Sequence, residues 1–119
     1  MAPKESPARL NSARPPENGS VVMELSGRVT REEIAGLCER ARVLLVDNEA
    51  AVVVCDVEAL THPDAAAVDA LARLQVTVRR LGKRMRVRAA GCELEDLVTL
   101  MGLRELLQFS RGNGPITDR

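Results

Sequence analysis

Hydrophobic and polar positions along this chain alternate between the period of a strand and the period of a helix. "SVVMELSG", residues 20–27, reads as a strand that ends at Gly27. In "TREEIAGLCERARVLLVDN" the apolar positions Ile34, Leu37, Ala41 and Leu44 recur at helical spacing on one face. Thr30 with Glu33 three residues on has the form of a capping box, which satisfies free amides at a helix start. "AAVVVCDV" is a continuous, largely β-branched run, and it predicts a central strand buried on both faces. Ala67, Leu71, Leu74, Val78 and Leu81 then mark the inner face of a second helix. Asp69, Arg73, Arg79 and Arg80 fall largely on its other faces, and Gly82 supplies its stop. "RMRVRA" alternates strictly, with Arg84, Arg86 and Arg88 on a wet side and Met85 and Val87 on a dry one. A third helix starts near Cys92, with Leu94, Leu97, Val98 and Met101 inward. Glu93, Glu95 and Asp96 lie near its positive N-terminal end, where carboxylates are favourable. "LRELLQFS" closes the pattern.

The order β-α-β-α-β-α with a short closing segment predicts an α/β domain over residues 20–110. Right-handed crossovers make its central strands parallel, and the one-sided "RMRVRA" strand places the helices mainly on one face of a small sheet. Residues 1–19 carry four of the six prolines and little that could pack, so a disordered N-terminal tail is expected there. The segment 111–119, "RGNGPITDR", is expected to be a flexible C-terminal tail.

Composition narrows the function more by exclusion than by assertion. The 119 residues carry 17 basic and 17 acidic side chains, so no global field favours nucleic acid or an acidic membrane. Phe109 is the single aromatic residue, which argues against the base-stacking platforms of single-stranded nucleic-acid modules. No apolar run approaches the ~20 residues needed to span a bilayer. The first twenty residues have no apolar stretch resembling a secretory signal, and a cytoplasmic home is expected. Cys38, Cys55 and Cys92 are odd in number and widely spaced, which fits buried reduced thiols better than disulfides or a zinc site. No cofactor or metal is expected.

Candidate chemistry is sparse. The glycines form no phosphate-binding pattern, and no G-x-S-x-G elbow is present. Asp56, Glu58, His62 and Asp64 are the acid–base groups near one strand end. Structural roles account for the turn: Asp64 can cap the helix that begins at Ala65, and Pro63 pushes His62 towards an extended conformation. The basic stretch from Arg79 to Arg88, six cations in ten residues, reads as a solvated helix end and the wet face of a strand. The same stretch would also fit an acidic partner surface.

"VVVCDVEALTHPDAAAVDALARL" resembles the centre of STAS domains, the family shared by bacterial anti-sigma factor antagonists and sulfate-transporter tails. Members typically read D-L-S-x-V-x-x-I-D-S-S-G-L-x-x-L. Asp56 matches the first aspartate, Val57 the aliphatic, Leu60 the next apolar position and Asp64 the second aspartate. Val68 and Leu71 match the helix core. "VVMELSGRVT" resembles the family's V-x-x-L-x-G-x-L-D strand, and Met101, Gly102 and Leu103 fall at its small-Gly-Leu corner. The likeness covers residues 20–110.

The resemblance implies a non-catalytic module that docks a protein partner, either a serine-kinase-type anti-sigma factor or another STAS protein, in signalling or transcription regulation. Its implied contact residues are Thr30, Thr61, His62, Pro63, Asp64, Ala65 and Ala66. In phospho-switched members the second serine of D-S-S-G receives a phosphate, and that position is Ala66 here, preceded by Ala65. Thr30 replaces the aspartate usual in the upstream loop. A phosphate there would add about −1.5 to −2 charges in the middle of a docking surface. With Ala66 that surface stays uncharged, so binding without phosphorylation control is expected. A small-ligand-binding or transporter-accessory role is the alternative, and a homo-oligomer is left open.

Overall fold

The strands and helices form where the two periods predict them, and one further strand precedes them. The computed structural model describes residues 7–17 and 20–110. Its elements are β1 (Arg9–Glu17), β2 (Ser20–Ser26), a 3-10 turn (Arg31–Glu33) running into α1 (Ile34–Leu45), β3 (Val52–Asp56), α2 (Ala65–Arg80), β4 (Arg84–Arg88), α3 (Cys92–Leu100) and β5 (Gln108–Ser110). They build a five-stranded mixed sheet in the order β1-β2-β3-β4-β5, with β1 antiparallel to β2 and the remaining pairs parallel.

That sequential order decides where the core lies. Each parallel connection steps to the next strand in the same direction, so successive right-handed crossovers carry their helices over the same side. The buried positions agree: Val21, Met23 and Leu25 of β2, Val53 and Cys55 of β3, and Met85 and Val87 of β4 all face the helices. Ile34, Leu37, Ala41 and Leu45 of α1 and Ala67, Leu71, Leu74 and Val78 of α2 close over them. Leu94 and Val98 are the buried pair of α3, whereas Met101, expected inward, is 39% exposed.

Three expectations need correcting. Residues 9–17 are not a tail but strand β1, with Leu10 opposite Leu25 and 2% exposed. Prolines obscured it: Pro15 and Pro16 lack the N–H of a ladder and are confined to edges and bulges, and the register here shifts between Ser12 and Arg14 and again before Glu17. Arg40 of α1 secures the strand by donating from Nε to the Leu10 carbonyl oxygen at 3.0 Å. The rest of the expected tails, residues 1–6, 18–19 and 111–119, lies outside the described residues. Secondly, β3 is not buried on both faces, since Val52 and Val54 remain half-buried on the side without helices. Thirdly, among the thiols only Cys55 is buried, Cys38 being intermediate and Cys92 exposed.

Part of the basic stretch holds the framework. Lys83 donates from Nζ to the carbonyl oxygens of Asn48 and Ala50, the latter at 2.7 Å, and so ties the start of β4 to the loop entering β3. Gln75, 3% exposed, donates from Nε2 to the Leu106 carbonyl oxygen and anchors the segment leading to β5. Gly82 stops α2 at φ 79, a left-handed value that side chains disfavour.

Candidate functional site

The C-terminal ends of β2, β3 and β4 open into three loops, and backbone hydrogen bonds weld these together. Gly27, just beyond β2, donates to the Ala59 carbonyl oxygen at 3.2 Å and accepts from the Thr61 amide at 2.9 Å. Gly27 is buried with φ 84, a left-handed value at which a side chain would be strained. The Val57 amide donates to the Arg88 carbonyl oxygen at 3.0 Å, which joins the β3–α2 loop to the end of β4. Asp56 shapes the start of that loop: Oδ1 accepts from the Glu58 amide at 2.9 Å, and Oδ2 pairs with Arg88 Nη2 at 2.9 Å.

The residues expected to make contact are thereby gathered at one end of the sheet. Asp64 is the N-cap of α2, its Oδ1 accepting from the Ala67 amide at 3.1 Å, as its position predicted. Ala65 is exposed and Ala66 half-buried in the first helical turn, with Ala67 and Val68 already in the core. Thr61 and His62 are exposed, and Pro63 is intermediate. His62 has φ 54, so the extended conformation expected before Pro63 is not adopted. The pre-proline clash disfavours the right-handed helical region, and the reversal between Thr61 and Asp64 selects the left-handed one.

Thr30 lies across the Gly27 junction at the entry to α1. Its amide donates to Glu33 Oε1 at 3.3 Å, the Glu33 side of the expected capping box, and its carbonyl oxygen accepts from the Glu33 amide at 3.0 Å as the backbone bond of the 3-10 turn. Asp69 then links this entry to α2, accepting from Arg31 at 2.9 Å and from Arg73 at 3.0 Å. These pairs are largely solvated and hold orientation more than they add stability.

Sequence reasoning did not single out the Gly27 clamp, the Arg31–Asp69 pair or Ala89. Gly27 was legible only as a strand end, and the pair depends on how two helix starts meet. Ala89, at φ 67, is the second non-glycine residue in the left-handed region among the described residues. It turns the chain from β4 towards the Gly91 N-cap of α3. Between this turn and the β3–α2 loop lies a cleft of about 380 Å³, lined in part by Leu60, Pro63, Ala89 and Cys92. Among the described residues no cluster of His, Cys, Asp or Glu is arranged to hold a metal ion. Cys55 lies beneath the loop with its thiol pushed up to about 12, by burial first and by the Asp56 charge second. A thiol so held is not a nucleophile.

What the arrangement can offer is a surface: an exposed turn and a first helical turn on a rigid base. A family model described as "Mlab, STAS domain" matches residues 13–108. No curated protein matches the chain. Among solved structures, the anti-sigma factor antagonist SpoIIAA in its unphosphorylated form is similar at TM-score 0.62 and 11% identity, covering 88% of this chain and 89% of that one. The Bacillus cell fate determinant SpoIIAA in the phosphorylated form gives TM-score 0.57 at 11% identity, over 88% and 92%. An anti-sigma factor antagonist from Mycobacterium paratuberculosis gives 0.63 at 20% identity, over 85% of each chain. At these identities the solved structures speak to the fold. Among the described residues no helix is long and apolar enough to cross a membrane.

Proposed function

The chain belongs to the STAS family, and on that basis we propose that it is a non-catalytic protein-docking module of the anti-sigma factor antagonist type, acting in the cytoplasm without phosphorylation at the family's usual position. Its contact surface is the β3–α2 loop with the first turn of α2: Thr61, His62, Pro63, Asp64, Ala65 and Ala66, with Thr30 at the margin. The partner is a serine-kinase-type anti-sigma factor or another STAS protein.

The observation that carries this reading is the first turn of α2. Asp64 caps the helix through Ala67, so the local geometry is intact, yet neither Ala65 nor Ala66 has a hydroxyl. Alanine is the best helix former, so this turn loses nothing in stability by lacking serine. What it lacks is an acceptor for a charge that would otherwise sit among free amides at a positive helix end. A surface that cannot gain this charge cannot be expelled from a partner by it.

The test measures affinity of the full chain for the serine-kinase-type anti-sigma factor of its own source, for wild type and Ala66→Asp. The variant is expected to bind at least about tenfold more weakly, the effect of roughly 1.4 kcal/mol, with an unchanged circular dichroism spectrum. With ATP present, residues 60–71 of the wild type are expected to take up no phosphate. Unchanged affinity would put the docking surface elsewhere, and phosphate on Thr61 would refute the unswitched reading. Capture of a transporter ATPase in place of the kinase would support the transporter-accessory alternative.

A further inference from the structure

We propose that α3 of one copy of this chain docks in the groove between α1 and α2 of another, so that copies associate head to tail. The groove, of about 540 Å³, has an apolar floor made by Ile34, Ala35 and Cys38 of α1 and Ala72 and Val76 of α2. Val76 is 42% exposed there. The charge around the floor is positive on balance: the 3-10 turn, α1 and α2 together carry six bases and four acids. At the head of the groove Arg31 and Arg73 are both held by Asp69. At its foot Arg42 and Arg80, in the last turns of their helices, form no ion pair among the described residues.

The outer face of α3 has the opposite character. Glu93, Asp96, Leu97 and Leu100 fall at i, i+3, i+4 and i+7, which is one side of a helix. Leu94 and Val98 fix the other side in the core, so this face turns away from its own domain. Leu100 is 81% exposed, and Glu93 and Asp96 are exposed without an ion pair among the described residues. Residues 92–105 carry four acids against one base, Arg104. A chain that is neutral as a whole therefore separates its charge, with a basic apolar groove on one pair of helices and an acidic apolar ridge on the third. An amphipathic helix laid into an apolar groove is a common mode of recognition, and here both halves belong to the same sequence.

Polarity sets the direction. The free bases lie at the C-terminal ends of α1 and α2 and the acids at the N-terminal end of α3, so α3 runs antiparallel to both. Glu93 and Asp96 then approach Arg42 and Arg80, while Leu97 and Leu100 lie towards Ala35 and Val76. The reverse direction would set acids beside Asp69 and leucines on two free guanidinium groups. Helix dipoles favour the antiparallel arrangement as well. The lengths agree: Ala35 to Arg42, Arg73 to Arg80 and Glu93 to Leu100 each advance seven residues, or about 10 Å. Groove and ridge are separate patches, so the contact is heterologous and does not stop at two copies. A single nine-residue helix offers less than the roughly 800 Å² per partner of a standard interface, and each contact is expected to dissociate on the order of 10–100 μM.

Sedimentation equilibrium of the full chain, from about 5 to 500 μM to bracket that range, tests the proposal. Wild type is expected to be monomeric at the low end and to exceed the mass of a dimer at the high end. Val76→Glu in the groove and Leu100→Lys on α3, both at exposed positions, are each expected to weaken association at least about tenfold, with unchanged circular dichroism. Arg42→Glu combined with Arg80→Glu is expected to do the same. An equimolar mixture of Val76→Glu and Leu100→Lys is expected to form a one-to-one complex that grows no further, with the wild-type affinity to within about threefold. In that mixture one copy supplies an intact α3 and the other an intact groove. A wild type that stays monomeric overturns the proposal, as does association indifferent to these variants. A mixture that stays monomeric overturns it too, since the two sites would then not face each other.

Discussion

The two faces of the three inner strands, β2, β3 and β4, have opposite surroundings. On the helix side, Val21, Met23, Leu25, Val53, Cys55, Met85 and Val87 are all 2% exposed or less. One residue along in each strand, the side chains are Val22, Glu24, Val52, Val54, Arg84 and Arg86, half-buried or exposed. Strand periodicity makes this separation absolute, since a one-residue step reverses the face. The difference teaches that alternation and continuity in sequence carry different information. β4 alternates because its outer side is wet, and its burial follows the alternation. The run in β3 does not alternate, and its outer valines lack the cover their sequence implies.

The contrast can be tested most sharply by truncation. Met23→Ala on the helix side is expected to cost about 2–5 kcal/mol, from lost burial and the cavity left behind. Val54→Ala on the open side is expected to cost below about 1 kcal/mol when measured by urea denaturation at low protein concentration. Equal costs would mean that the open face is fully buried within the monomer as well.

A pH series probes the covered face through Cys55. Its thiol, ordinarily near 9.0, is pushed up to about 12, by burial first and then by Asp56. Below pH 9 both folded and unfolded chains hold the proton, and stability is untouched. Between 9 and 12 the unfolded chain loses its proton while the folded chain keeps it. Stability therefore falls as pH rises, by up to about 1.4 kcal/mol per unit. The difference in stability between wild type and Cys55→Ala is expected to show this slope above pH 9 and none below. A flat difference throughout would mean that water reaches the covered side of β3.

The smallest effect sharpens the other side. Arg86→Ala, at an exposed position, is expected to change monomer stability by no more than about 0.5 kcal/mol in the same urea assay. A loss above about 1 kcal/mol would show that this side chain packs on the valines closely enough to serve as their cover.

Legibility followed the same division between local pattern and long-range assembly. The caps at Thr30 and Asp64, the inner faces of α1 and α2 and the stop at Gly82 depend on neighbours within about one helical turn, and each was readable. β1 was not, because its prolines argue against a strand while Leu10, its anchor, gains meaning only opposite Leu25. At the candidate site the same split recurs. Asp64, Ala65 and Ala66 could be assigned to the first turn of α2 from their order alone. The left-handed His62 and Ala89 and the Gly27 clamp could not, since their conformations answer to strands that meet only in the folded chain.

By itself, then, the sequence determined the alternation of strands and helices, which residues face inward along most of them, and the absence of a hydroxyl at the head of α2. These are consequences of side-chain chemistry and of periods set by the local backbone. Tertiary structure decided that all three crossover helices share one side, that Gly27 binds the β3–α2 loop, and that the valines of β3 divide between a dry core and an open face. Those outcomes depend on strand order and on contacts between residues far apart in the chain. No local period encodes them, because burial belongs to what lies across from a residue and not to the residue alone.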